Sequence, residues 1–279
     1  MGGGGARGLA HIGVMQALEA HNMRPTIFAG TSIGGLLGAF FAAGKTGAEL
    51  EEISRRLNWA PLWEWRPGCG LLNFEGLEAL LSRYLPKEFG GLEYPLVVTA
   101  TDLSVGVPVY LHSGNLYEAL QATIAFPGAI DPLWIEGRLL ADGGILNQIP
   151  VDAVRFLGAE TVLAVDITAP MPLPLEPPAH ARPSLWERTI YPKHRLTPLQ
   201  AAWRAVELMQ AQMTRVRLAA ALPEIVIRPE LQGINLESFW KGPTAIEAGR
   251  AAAESQIEEI RRRCVPQQDI GRNTPNREA

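Results

Sequence analysis

The sequence predicts an α/β fold with a mostly parallel central sheet, and three observations carry that prediction. Strand-like and helix-like segments alternate along the chain. Short strand candidates such as Leu96-Val97-Val98 are apolar without a break, as strands covered on both faces must be. A strand candidate also passes through a glycine turn directly into an apolar helix between Thr26 and Ala43. With 279 residues, 47% hydrophobic and 19% charged, the composition is that of a globular protein. No linker interrupts the pattern before residue 169, so residues 1–265 read as a single domain.

In chain order, residues 8–21 form the first helix, with Leu9, Ile12 and Met15 at helical spacing. Thr26 to Ala29 is a strand entered through Pro25. Ser32 to Ala43 is a buried helix of small and apolar residues. Ala48 to Leu57 and Leu77 to Tyr84 are further helices. Leu96 to Thr101 and Val107 to Leu111 are strands. Tyr117 to Ala125 is a helix stopped at Pro127, and Arg138 to Ala141 is a strand running into Asp142-Gly143-Gly144. Val151 to Phe156 is helical and Thr161 to Val165 is a strand. Pro170, Pro172, Pro174, Pro177, Pro178, Pro183, Pro192 and Pro198 then crowd residues 170–198, which read as a long loop or flap. A long helix follows from Leu199, then a short strand at Glu224 to Ile227. One last helix opens at Gly242-Pro243, where proline suits the first turn, and carries a stripe from Ile246 to Cys264. The polar tail, 266–279, reads as disordered.

Composition narrows the function. The formal net charge is -4, with no basic stripe or zinc-finger spacing, so nucleic acid is not an expected partner. Cys69 and Cys264 stand far apart and suit free thiols in a reducing compartment. The start at Met1 shows no secretory signal pattern. The longest apolar stretch, Ile33 to Ala43, is well short of the ~20 residues of a membrane helix. The reading is cytoplasmic, with peripheral membrane contact compatible with it. No calcium loop or metal-ligand cluster is visible, so neither metal nor cofactor is expected.

Three elements carry chemistry. Gly30-Thr31-Ser32-Ile33-Gly34 fits G-x-S-x-G between a strand and a helix. Such a turn holds a serine in a strained backbone with its hydroxyl exposed. Gly30 and Gly34 remove side chains that would collide, and the helix start favours negative charge near Ser32. Gly2-Gly3-Gly4-Gly5-Ala6-Arg7-Gly8 opens a helix, and consecutive glycines let backbone N–H groups converge on an anion. A phosphate site would need a following lysine, which is absent; an oxyanion hole fits the nearby serine better. Asp142, followed by Gly143 and Gly144 at a strand end, can approach another loop closely, although Asp-Gly also shapes ordinary turns.

With these elements in order, the chain resembles the patatin-like phospholipases of the small bacterial type. The likeness rests on Gly3-Gly4-Gly5-Ala6-Arg7-Gly8, Gly30-Thr31-Ser32-Ile33-Gly34-Gly35 and Asp142-Gly143-Gly144-Ile145-Leu146-Asn147, and spans residues 3–167. Ala100-Thr101-Asp102-Leu103 and Ala125-Phe126-Pro127-Gly128 are similar to family segments too. The resemblance implies a three-layer α/β/α fold and a Ser-Asp dyad without histidine. Ser32 would be the nucleophile, Asp142 its base, and the N–H groups around Gly3, Gly4 and Gly5 the oxyanion hole. Arg7 would either anchor the glycine loop or meet a phosphate head group. One departure stands out: the family's first strand, which leads into the glycine loop, is absent. A truncated start, and a destabilised or poorly active form, are what that departure predicts.

An aspartate of ordinary pKa, ~3.9, is a weak base. Desolvation among groups such as Phe40, Phe41, Phe126 and Leu146 would raise it. Of the histidines, His11 reads as a core residue and His21 as a helix-end residue. His112 falls in a turn, and His180 and His194 fall in the flap. Asp102, Asp131, Asp152 and Asp166 read as caps or loop residues. The expected substrate is an acyl ester of a lipid, a phospholipid or lysophospholipid. Trp59, Trp63, Trp65, Trp186 and Tyr191 either pack in the core or form an acyl-chain surface. An acyltransferase or thioesterase using the same serine, or a weakly catalytic lipid-binding relative, is the alternative.

Overall fold

A computed structural model describes residues 1–56, 78–79, 81–168 and 198–265. The proline-rich flap, the polar tail and the segment holding Trp59, Trp63 and Trp65 lie outside these, as do Leu77 and Leu80 of the expected Leu77 to Tyr84 helix.

The central strand is β2, Leu96–Asp102, buried along its whole length. β1, Phe28–Thr31, runs parallel to it, from Phe28 opposite Leu96 to Thr31 opposite Thr99. β3, Val107–Leu111, returns antiparallel over residues 98–102. β5, Arg138–Asp142, is also antiparallel to β2, with Asp142 opposite Ala100 and Leu140 opposite Asp102. β3 overlaps both β1 and β5 along β2, so it holds one edge and those two share the other. β1 and β5 therefore approach the same edge from opposite directions and end on adjacent positions, Thr99 and Ala100.

β4, Leu133–Ile135, extends the sheet as a hairpin with β5. The sequence pattern did not reveal it, because three residues are too few to show a period. Its turn, Glu136-Gly137, has positive φ at both residues, the twist-matched geometry of a two-residue hairpin. β6, Leu163–Val165, and β7, Ile225–Ile227, pair parallel as a second, two-stranded sheet. The sheet is thus mixed, within the expected α/β class.

Helices cover both faces. On one side lie α1 (Ala10–Ala20), α2 (Ile33–Ala42), α4 (Leu116–Ile124), α7 (Gly242–Glu254) and α8 (Ile257–Cys264), around a core that includes Leu9, Ile12, Phe41, Leu120 and Ile246. The other side carries α5 (Val151–Phe156) and, through Leu218, α6 (Pro198–Ala221), packed with Val97, Ile149 and Ala164. α3, Gly47–Arg56, packs beside α1. The strand β1 sits two residues later than its sequence pattern suggests. The single C-terminal helix expected from the stripe is two helices. Gln256 leaves helical geometry at φ -120, and the bend turns Ile257 and Ile260 into the core.

α1 and α7 touch backbone to backbone. A Cβ on Gly13 would lie 1.8 Å from the Ile246 carbonyl oxygen, and one on Gly249 would lie 2.0 Å from that of Ala10. Overpacked cores lose about 1–3 kcal/mol. Gly249→Ala is expected to cost at least that, read as a lower urea midpoint with unchanged m-value.

Candidate active site

Ser32 stands where β1 gives way to α2. Its backbone is at φ 55, ψ -127, a region that costs a non-glycine residue on the order of 1–3 kcal/mol. The surroundings enforce it. A Cβ on Gly30 would lie 2.2 Å from the Gly34 carbonyl oxygen, and one on Gly34 would lie 2.4 Å from that of Met1. The pattern G-x-S-x-G is therefore steric: chain passes against chain on both sides of the serine. The Ser32 N–H donates to Thr123 Oγ1 at 2.9 Å, and that hydroxyl donates to the Thr99 carbonyl at 2.6 Å. Thr31 Oγ1 donates to the Asn147 carbonyl at 2.8 Å, tying the turn to the segment after Asp142.

Asp142 ends β5 with 1% of its surface exposed. Its Oδ1 accepts the Gly144 N–H at 2.7 Å, while the buried Oδ2 has no hydrogen-bond partner among the described residues. Burial pushes the carboxyl pKa up to about 7, against the opposing pull of the Gly144 N–H and the adjacent Ser32 hydroxyl. The cause is desolvation of the charged form. Gly143 lets the turn press onto β2, since its Cβ would lie 2.2 Å from the Thr99 carbonyl oxygen.

The glycine loop borders Ser32: a Cβ on Gly3 would be 3.2 Å from the Ser32 Cβ. Its N–H groups are not equivalent. The Gly3 N–H donates to the Gln148 carbonyl at 3.1 Å and is thus engaged, while the Gly3 carbonyl accepts from Gln148 Nε2 at 2.8 Å. The Gly4 and Gly5 N–H groups meet no backbone acceptor among the described residues. Both residues have positive φ, 152 and 54. Gly5 passes so close to Leu236 that a Cβ would lie 2.4 Å from its carbonyl oxygen. Arg7 is buried; its Nε donates to the Gly4 carbonyl at 3.3 Å and its guanidinium lies 3.6 Å from Glu207 of α6. That is an anchoring geometry, with the positive charge already matched within the protein.

α6 adds a contact that sequence did not suggest. Gln210 Nε2 donates to the Gly144 carbonyl at 2.8 Å. Gln148, Thr123 and Gln210 are all polar residues in apolar surroundings, and that was their only sequence signal. The other titratable candidates are committed elsewhere. His11 Nε2 donates to the Gly2 carbonyl, and burial pushes its pKa down to about 3. His21 pairs with Glu254, and His112 rests against Phe156. Asp102 caps the Ser104 N–H, Asp152 binds Tyr110 and Arg217, and Asp166 binds Arg228. His180 and His194 lie outside the described residues.

A strained serine at a strand–helix turn, a glycine loop beside it and a buried aspartate thus stand together at one point of the fold. The profile of the patatin-like phospholipases matches residues 1–155, and the chain belongs to that family. It is 36% identical over 178 residues to an uncharacterized NTE family protein of Mycobacterium tuberculosis, covering 60% of this chain and 48% of that protein. It is 31% identical over 179 residues to human patatin-like phospholipase domain-containing protein 6, covering 60% of this chain and 13% of that protein. Lysophospholipase nte1 of Aspergillus fumigatus is 32% identical over 177 residues, covering 60% of this chain and 12% of the fungal protein. The chain spans less than half the length of each. The structure of VipD from Legionella pneumophila superposes with a TM-score of 0.48 at 14% identity, covering 92% of this chain and 65% of VipD.

The raised pKa of Asp142 has a consequence for stability. Below the ordinary value of 3.8 the carboxyl is protonated in both folded and unfolded chains. Between there and about 7 only the unfolded chain ionises, so stability falls as pH rises. Above about 7 the folded protein bears a buried charge. Asp142→Asn lacks that charge and is expected to melt higher than the wild type at pH 8. The difference should shrink to nothing near pH 4, as followed by calorimetry.

Proposed function

We propose that the protein is a serine esterase that hydrolyses acyl esters of lipids through a Ser32–Asp142 dyad and an acyl-enzyme intermediate. The observation that carries this reading is the buried carboxyl of Asp142 beside Ser32, with one oxygen unpartnered and a pKa of about 7. A general base works best when its pKa lies near the working pH.

Ser32 Oγ attacks the ester carbonyl while Asp142 takes its proton. The negative charge that develops on the carbonyl oxygen meets the Gly4 and Gly5 N–H groups and the N-terminal end of α2. Collapse expels the alcohol, which leaves with the proton from Asp142. A water then attacks the acyl-serine and gives its proton to Asp142; as this second intermediate collapses, Asp142 returns the proton to the departing Ser32 Oγ and the fatty acid is released. Arg7 holds the loop through the Gly4 carbonyl, and Gln148 holds it through Gly3.

The substrate class is supported by the family and by the lysophospholipase name of the fungal relative. Exposed apolar side chains lie at the C-terminal end of β2, where β5 enters the sheet. Leu103, Val105 and Val107 follow the end of β2, and Trp134 of β4 stands opposite Leu139 of β5, whose carbonyl accepts the Leu103 N–H. Such a rim suits peripheral contact with lipid, an apolar body with a wet edge. No helix among the described residues is long and apolar enough to cross a membrane.

Hydrolysis of p-nitrophenyl esters of graded acyl length tests this reading. Ser32→Ala should abolish turnover, and Asp142→Asn should lower kcat by about 10²–10⁴-fold. Wild-type kcat/KM should rise with pH through about 7 and then level off, because the base acts ionised. Long acyl chains should be preferred. Activity that survives Asp142→Asn, or equal turnover of short and long chains, would contradict it.

A further inference from the structure

Thr123, near the end of α4, stands inside the ladder of the sheet. The Phe28 N–H donates to the Pro95 carbonyl at 2.9 Å, and β1 runs parallel to β2 until Thr31 lies opposite Thr99. In a parallel pair every second residue of a strand bonds to the same neighbour. After Phe28 and Gly30, the next rung would be a direct bond from the Ser32 N–H to the Thr99 carbonyl. The Thr123 hydroxyl takes that rung. Its oxygen accepts the Ser32 N–H at 2.9 Å, and its proton goes to the Thr99 carbonyl at 2.6 Å.

A hydroxyl suits this place because it accepts and donates at once. With it inserted, both backbone groups stay bonded while β1 stands off from β2 by the breadth of one oxygen atom. Ser32 can then turn at φ 55 into α2 instead of extending the strand. Thr123 is fully buried, and a Cβ on Gly35 would lie 3.1 Å from its Cγ2. The methyl group therefore rests against α2, which fixes the rotamer that aims the oxygen into the ladder. The same end of α4 also reaches the aspartate. The Ala125 carbonyl accepts the Asp142 N–H at 2.9 Å, past the last pairing of β4 with β5 at Leu133 and Leu140.

We infer, resting on the esterase reading with Ser32 as nucleophile, that Thr123 is a positioning residue: its hydroxyl, spliced between Ser32 and Thr99, holds Ser32 out of the sheet in the conformation that attacks the ester. Without that hydroxyl, the Ser32 N–H and the Thr99 carbonyl have two outcomes open to them. They are left buried and unpaired, or they close on each other and draw Ser32 into the strand. Either outcome misplaces the attacking oxygen, and a displacement of about 1 Å costs on the order of 10²-fold in rate. The glycine loop keeps its bonds to Gln148 and Arg7, and Asp142 keeps its bonds to Gly144 and Ala125. The loss should therefore fall on kcat and leave KM unchanged.

The test compares Thr123→Val and Thr123→Ala, which lack the hydroxyl, with Thr123→Ser, which keeps it, and with Ser32→Ala, all in the full chain. Ester kinetics and the rate of labelling by a fluorophosphonate are measured well below each melting temperature, and rates are referred to the folded fraction. Thr123→Val and Thr123→Ala should lower kcat and the labelling rate by about 10²-fold with KM unchanged. Thr123→Ser should stay close to the wild type in both. A folded Thr123→Val or Thr123→Ala that labels at the wild-type rate would overturn the role of Thr123 and leave the esterase reading standing. So would a Thr123→Ser as slow as the variants without a hydroxyl. A wild type that takes no label, or that Ser32→Ala matches in turnover, would remove the nucleophile and overturn both.

Discussion

One edge of one strand organises the site. β1 and β5 approach β2 from opposite ends and share its edge, so Thr31 stops opposite Thr99 and Asp142 opposite Ala100. Neither chain can continue in the sheet past that point. Each leaves it, β1 through the strained turn at Ser32 and β5 through Gly143-Gly144. The serine and the carboxylate come together because two strands meet end to end, with no long side chain needed to bridge them. The same meeting point lies deep between helical layers, which keeps Asp142 dry and pushes its pKa up to about 7.

The convergence is braced by polar contacts between loops. Thr123 links the Ser32 N–H to the Thr99 carbonyl, and Thr31 reaches the Asn147 carbonyl. Gln148 holds Gly3 on both its N–H and its carbonyl. From the far face, α6 grips the Gly144 carbonyl through Gln210 and meets Arg7 through Glu207. Buried polar groups that lose one partner cost more than the bond itself. Each of these residues therefore fixes a loop position as much as it adds stability. α6 is the helix that follows the proline-rich segment, so the glycine loop and the Asp142 turn are both tied to sequence C-terminal to that segment.

Much of the site was legible in the sequence because its chemistry depends on local backbone shape. A glycine on each side of Ser32, a run of glycines ahead of a helix and Asp-Gly-Gly at a strand end are each visible within a few residues. What could not be read is long-range. Nothing in Leu96–Asp102 shows that two partners divide one edge, since register is a property of pairs of strands. The glycine loop offered three N–H donors, and only the fold shows that the Gly3 donor is engaged by Gln148. Gln148 and Gln210 carry no local signal, because their partners lie 145 and 66 positions away. β4 was too short to show a period, and the bend at Ser255-Gln256 interrupts a stripe that stays in phase.

The most direct measurement is a ¹³C NMR titration of the Asp142 carboxyl, assigned by difference from Asp142→Asn. A midpoint of about 7 is expected, displaced when Ser32 is replaced by alanine because the hydroxyl facing the carboxyl is gone. A midpoint near the ordinary aspartate value of ~3.9 would contradict it: the carboxylate would then be hydrated, and the closed meeting of β1 and β5 on β2 would not supply the base.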